Sequence, residues 1–373
     1  MADRTSHLRA RLSRRRLLER GAGWTLGLGG AMRFAVPSGF AGEAAKPSAL
    51  IVRAWGGAWV EALDEGVSKP FTEMTGIPVR YELTEDNEIQ PKIWAAIEQG
   101  RPPPVHVNWT TTTNATESAL RGVCERLAEL PNLRGLLPVA EPVGFEGWPL
   151  VNVYSYAYVL AYREAAFPGG PPRSWKVLLE PRFRGRIALY DDGIGLAPVA
   201  QILGGGSMAD IPDNMRPAYS FYAKLKAQQP LLGEDPDIST WFESGAADLA
   251  CTILTNARLA RQDGIPVSWT VPEEGAEVAT DALWVPKGLQ ANEAYWAKQY
   301  VNYALSAAGQ QAWCNGLGLP PVRPGLQPPA DLAGDPAYPT TGEDFDRLLR
   351  IPTKVLVEHQ DAWFAKFQAI MQS

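Results

Sequence analysis

Histidine and cysteine are the scarce residues of this 373-residue chain, three of each, and their scarcity excludes chemistry. Beyond residue 41 only His106 and His359 remain, too few and too far in sequence from Cys124, Cys251 and Cys314 for a zinc site or a Cys/His nucleophile pair. Three cysteines allow at most one internal disulfide, and burial in a core is the better account of each. No Gly-x-Ser-x-Gly elbow or zinc-binding helix motif occurs. No two tyrosines are adjacent, as a ferric site would want, and Tyr219 and Tyr222 fall on an expected helix. Neither a metal nor a cofactor is expected, and an exported hydrolase or lyase is the weaker class of reading. No apolar run reaches the roughly 20 residues that cross a bilayer, and there is no internal repeat.

The N-terminus carries Ser13-Arg14-Arg15-Arg16-Leu17-Leu18 ahead of an apolar, glycine-rich run from Gly21 to Ala31, followed by Gly39-Phe40-Ala41. Paired arginines, a short apolar stretch and a small-x-small site read as a twin-arginine export signal over residues 1–41, so the protein is expected in the periplasm. Cleavage after Ala41 leaves 332 residues, which points to two lobes. The signal holds eight arginines against Asp3 and Glu19, so without it the formal charge of −6 becomes −12. An acidic surface disfavours nucleic acid and anionic membranes and leaves cationic solutes plausible.

From Leu50 the pattern alternates strand and helix. Leu50-Ile51-Val52, Ile77 to Tyr81 and Val105 to Trp109 read as strands, separated by helices with stripes Trp59, Val60, Leu63, Val67 and Ile89, Ile93, Trp94, Ile97. That is the rhythm of an α/β fold with a parallel sheet, in which ligands lie off the carboxyl ends of strands; Thr110 to Thr113 occupy such an end. Val151 to Tyr162 reads as a long strand crossing into a second lobe. There Ser174 caps a short helix, Arg184 to Tyr190 forms a strand, and Asp191-Asp192-Gly193 turns. Strands follow at Ala247 to Leu254 and Val267 to Val271. Ala282 to Val285 is the expected return crossing, Asn292 the expected cap of the next helix, and Val355 to Met371 a closing helix. Glu85, Asp86 and Glu88 read as a solvated acidic loop. Asp192-Gly193-Ile194-Gly195 has Pro198 where a dinucleotide turn needs a third glycine.

These segments, in this order, resemble the periplasmic solute-binding proteins of ABC importers, in particular the polyamine-binding branch. The likeness rests on Ala54-Trp55-Gly56-Gly57, Pro70 to Ile77, Ser174-Trp175 through Glu180-Pro181-Arg182-Phe183-Arg184-Gly185-Arg186, Glu243-Ser244-Gly245, and Val271-Pro272-Glu273-Glu274-Gly275 with Asp281 following. It implies a two-lobed α/β periplasmic-binding-protein fold of the second type, with lobe 1 at 42–155, lobe 2 at 156–280, and 281–373 returning to pack largely on lobe 1. It also implies capture of a small solute by hinge closure, delivery to a membrane permease, and no enzymatic step. A monomer is expected.

The resemblance places ligand contacts at Asp192 and Asp281, which would pair with an ammonium, at Trp55, a ring lining the cleft, and at Thr110. Trp59, one helical turn after Trp55, would face the same way. Departures from the polyamine pattern are Ile253 and Ala279 in place of aromatics and Gly195 in place of a second carboxylate. They imply a smaller amine or an amino-acid-like cation rather than a long diamine. Thiamine, ferric iron or an organic acid in the same fold, or a receptor signalling through a membrane partner, are the competing readings.

Overall fold

The computed structural model describes residues 44–373. The segment expected to be an export signal, residues 1–41, lies outside the described residues. The first lobe opens with β1 (Leu50–Arg53), then α1 (Ala58–Leu63), which runs through a wide π-helical turn at Asp64–Ser68 into α2 (Lys69–Thr75). β2 (Val79–Glu82), α3 (Asp86–Glu98), β3 (Val107–Thr111) and α4 (Thr112–Leu120) complete the alternation. β4 (Val151–Arg163) carries the chain across. Lobe 2 contains β5 (Ile187–Tyr190), α5 (Ala197–Leu203), α6 (Arg216–Lys226), β6 (Leu231–Gly233), α7 (Asp235–Ser244), β7 (Leu249–Ile253), α8 (Leu254–Gln262) and β8 (Val267–Thr270). β9 (Val278–Trp284) crosses back, and α9 (Ala291–Ala304), α10 (Ala307–Leu317), α11 (Gly342–Asp346) and α12 (Thr353–Gln372) finish the chain.

The strand order is β2-β1-β3-β9-β4-β7-β5-β6, with β8 on the other side of β4. β1 pairs in parallel with β2 and β3, and β5 in parallel with β6 and β7. β4 is the member common to both lobes. Its first half, Val151 to Ala157, pairs antiparallel with β9, and its second half, Tyr158 to Arg163, pairs with β7 and β8. At 3.3 Å or so per residue, a 13-residue strand is long enough to serve two sheets in succession. β4 and β9 are thus the two antiparallel crossings.

Each lobe has its own apolar core. One face of the first sheet packs Trp59, Trp109, Trp313 and Tyr300, the other Ile89, Ile93 and Trp284; the second lobe packs Trp175, Leu189, Phe221 and Phe242. Cys124, Cys251 and Cys314 are all buried as free thiols in these cores.

Three expectations need correction. β9 begins at Val278, four residues before the expected crossing, because β4 remains unbroken and holds Tyr156 against Ala279 and Ala157 against Val278. Gln290, not Asn292, caps α9, through a reciprocal capping box with Glu293. Asp86 is no solvated loop residue: it starts α3 and is 2% exposed. The C-terminal segment is divided between the lobes: α9 and α10 pack in the core of lobe 1 through Trp296, Tyr300, Trp313 and Leu317, and the chain beyond them turns to lobe 2. Leu332, Ala337, Tyr338, Ile351, Trp363 and Phe367 join the core of lobe 2, and α12 packs against both α4 of lobe 1 and α6 of lobe 2. The reason is a short backbone ladder, Leu349 N to Ala276 O at 2.8 Å and Val278 N to Leu349 O at 2.9 Å, which fastens the chain beside the return crossing before α12 begins.

Candidate solute site

A cavity of about 260 Å3 lies where the two lobes, the crossings and α12 meet. Lobe 1 contributes Asn87 and the run Thr111 to Asn114, at the carboxyl end of β3 and the start of α4. Thr111 caps that helix, accepting a 3.3 Å bond from Asn114 N. Lobe 2 contributes Asp192, Gly193, Gly195 and Tyr222. The crossings supply Tyr156 and Tyr158 from β4 and Glu277, Ala279 and Thr280 at the start of β9; α12 supplies Gln360, Trp363 and Phe364, with Arg350 just ahead of it.

The turn that presents Asp192 depends on glycine. Asp192 Oδ1 accepts from Ile194 N at 2.9 Å, and Gly193 and Gly195 have φ of 74° and 79°, a region that favours glycine. A Cβ on Gly195 would sit 2.3 Å from Tyr158 Cγ. The missing second carboxylate noted in the sequence therefore has a steric cause: Tyr158 fills its place.

Two charged groups on the wall escaped the sequence reading. Glu277 is 6% exposed, and its carboxylate makes no hydrogen bond or ion pair among the described residues. Burial pushes its pKa up to about 8, because a carboxylate removed from water without a partner favours its neutral form. Arg350 is partly buried and likewise has no ion pair among the described residues, and burial lowers its pKa. The signal was present in the sequence as isolated charges inside apolar stretches, Ala276-Glu277-Val278 and Leu348-Leu349-Arg350-Ile351.

Of the nominated ligand residues, Asp192 is on the wall. The other four are placed behind it. Trp55 and Trp59 are fully buried in the core of lobe 1, their rings 4.8 Å apart, with Trp59 also 5.3 Å from both Trp109 and Trp313. Helical spacing put both on one face, but that face is the core. Thr110 is fully buried, donating to Asp86 Oδ1 at 2.8 Å and accepting from Gln90 Nε2 at 3.4 Å; its neighbour Thr111 reaches the cavity. Asp281 is fully buried on β9, accepting from the Tyr154 hydroxyl and, at 3.4 Å, from the Tyr156 hydroxyl. It touches the wall through Tyr156. The aromatics that the resemblance missed at Ile253 and Ala279 come from other elements: Tyr156, Tyr158, Tyr222, Trp363 and Phe364 surround the cavity.

Two lobes joined by antiparallel crossing strands, with a cavity lined from both and from the crossings, are the architecture of a two-lobed binding protein. The chain belongs to the bacterial extracellular solute-binding proteins, whose family model matches residues 67–340. It is similar to the spermidine/putrescine-binding periplasmic protein 1 of Haemophilus influenzae, 24% identical over 296 residues that cover 76% of this chain and 79% of that one. The fold is that of an ABC transporter substrate-binding protein from Bradyrhizobium japonicum, with a TM-score of 0.74, 19% identity, and coverage of 87% of this chain and all of the other. A GABA receptor shares it at a TM-score of 0.70 and 19% identity, over 87% of this chain and 97% of that one. Family and fold are those of substrate-binding proteins, not of enzymes.

Proposed function

We propose that this protein is the periplasmic component of an ABC importer and captures a small, amine-bearing solute in the interlobe cavity. Closure about β4 and β9 would bury the solute, and the closed form would hand it to a membrane permease; no bond is made or broken. The protein works as a monomer after export.

Glu277 carries this reading. A nine-tenths buried carboxylate without a partner is costly unless something supplies the opposite charge. Tyr156, Tyr158, Tyr222 and Trp363 supply the aromatic faces that attract an ammonium. Asp192 stands on the same wall. The spermidine/putrescine-binding names of its relatives support an amine, although at 24% identity they do not choose which.

Thermal-shift measurements on the protein starting at Gly42 test the reading, because a ligand that binds only the folded state raises the melting temperature. Alkyl amines should give a shift that Glu277→Gln abolishes. A shift with sugars or organic acids alone would keep a solute-binding role and discard the amine.

A further inference from the structure

We infer that Arg350 anchors a carboxylate, so that the cavity takes a solute with an ammonium at one end and a carboxylate at the other, an ω-amino acid, in preference to a diamine. This rests on the amine reading above and names the other half of the same solute.

Arg350 is held in place from both sides. Leu349 is tied into the backbone ladder with Ala276 and Val278, and Ile351 is buried in the core of lobe 2. The guanidinium is therefore delivered to the cavity by a fixed stretch of chain. The other arginines withdrawn from solvent among the described residues are engaged: Arg53 pairs with Asp86, Arg163 and Arg186 with Asp248, and Arg258 with Asp331, while Arg323 donates to the carbonyls of Leu305 and Asn132. Arg350 has no such partner among the described residues, although it borders the cavity and a second recess of about 300 Å3 beside it. A guanidinium is always charged and matches a carboxylate through two parallel N–H bonds, so a partly desolvated one without a counter-ion is a site awaiting an anion.

Beside Arg350 the second recess holds Lys354 and one carboxylate, Glu141, and two helix starts add positive potential. Thr112 and Thr353 border both spaces, and they are the first residues of α4, nine residues long, and α12, twenty residues long. Helix N-termini carry partial positive charge and free N–H groups, which adds to the pull on an anion.

Glu277 and Arg350 belong to strands of backbone that pair, Glu277 opposite Leu349, yet their charged atoms lie beyond the 4.0 Å of an ion pair. Two opposite charges on one cavity that do not neutralise each other fit a dipolar molecule spanning the gap. A diamine would set its second ammonium against Arg350 and two helix N-termini. Gly195 stands where a further carboxylate would serve that ammonium, which leaves it only Asp192, whose Oδ1 already accepts from Ile194 N.

Isothermal titration with matched probes decides the matter: 4-aminobutyrate, 1,4-diaminobutane and butylamine, then 6-aminohexanoate, 1,6-diaminohexane and hexylamine. One amino acid should bind about tenfold or more tighter than its matched diamine. Arg350→Met should remove that advantage without weakening alkylamine binding, and Arg350→Lys should restore part of it, with melting temperatures confirming folded variants. A diamine that binds as tightly as its amino acid, or an Arg350→Met loss equal for amino acid and alkylamine, overturns the inference while the amine reading stands. Failure of every probe, alkylamines included, overturns both.

Discussion

Arg53 Nη1 lies 2.7 Å from Asp86 Oδ1, with the two side chains 0% and 2% exposed. The same guanidinium donates to the carbonyls of Trp109 at 2.6 Å and Thr84 at 3.1 Å, and the same carboxylate accepts from Thr110. This network ties the carboxyl ends of β1 and β3 to the start of α3, and so sets the floor beneath Thr111. It also means that Asp86 is already neutralised by a cation of the protein. On the proposed reading, the ammonium of a solute falls instead to Glu277 and Asp192.

Removing one partner of that pair leaves a buried charge uncompensated. Arg53→Met should lower stability by about 3–5 kcal/mol, read from urea unfolding. A loss below about 1 kcal/mol would mean that Asp86 finds another partner or protonates at little cost.

Gly195→Ala meets both a positive φ and the ring of Tyr158. It should destabilise the fold by about 1–3 kcal/mol and weaken solute binding by shifting a wall residue. Gly169→Ala, where a Cβ meets nothing within 4 Å, is the control and should be neutral. Equal behaviour of the two variants in thermal melts would refute the steric account.

The pH dependence follows from Glu277. Its pKa is raised from 4.5 to about 8, so its contribution to stability is fully present below 4.5 and is lost as pH rises through about 8. Binding of an ammonium requires the opposite, deprotonated form. Affinity for an alkylamine should therefore rise with pH, by up to about tenfold per unit below 8, and level off above it, with a proton released on binding. Calorimetry in buffers of different ionisation enthalpy measures that proton. Glu277→Gln should flatten the profile, and an unchanged profile in this variant would assign the proton elsewhere.

Asp281 acts through its neighbours. Tyr154 donates to it, and Trp59 Nε1 reaches Tyr154 Oη at 3.3 Å, so the aspartate ends a buried chain that runs back into the tryptophan cluster of lobe 1. Asp281→Asn should cost about 1–3 kcal/mol of stability and change affinity less than Glu277→Gln does. A larger loss of affinity for Asp281→Asn would return this residue to direct contact with the solute.

The lobes, their α/β rhythm and both crossings were legible because strands and helices announce themselves by period, and because a 13-residue apolar strand such as β4 is longer than the short strands of either lobe require. Of the site, Asp192 was legible, since a strand followed by Asp-Gly marks a turn at a carboxyl end. Trp55 and Trp59 were not, because spacing tells which side chains share a face and not whether that face meets solute or core. Glu277 and Arg350 were hidden for a different reason. They come together only through pairing of residues 276–278 with Leu349, about 70 positions apart, which no local pattern encodes. The closing helix was visible as a helix, but its seat across both lobes is a matter of packing alone.

That seat sets an order of events in synthesis. Both sheets, both crossings and Glu277 are encoded before residue 353, but Gln360, Trp363 and Phe364 are not. A chain emerging from the ribosome holds all the strands of both lobes while lobe 2 still lacks part of its core and the chamber one side. The chamber is therefore closed last, when α12 lies down across α4 and α6, and premature termination near Pro352 would open its side and also strip Trp363 and Phe367 from the core of lobe 2.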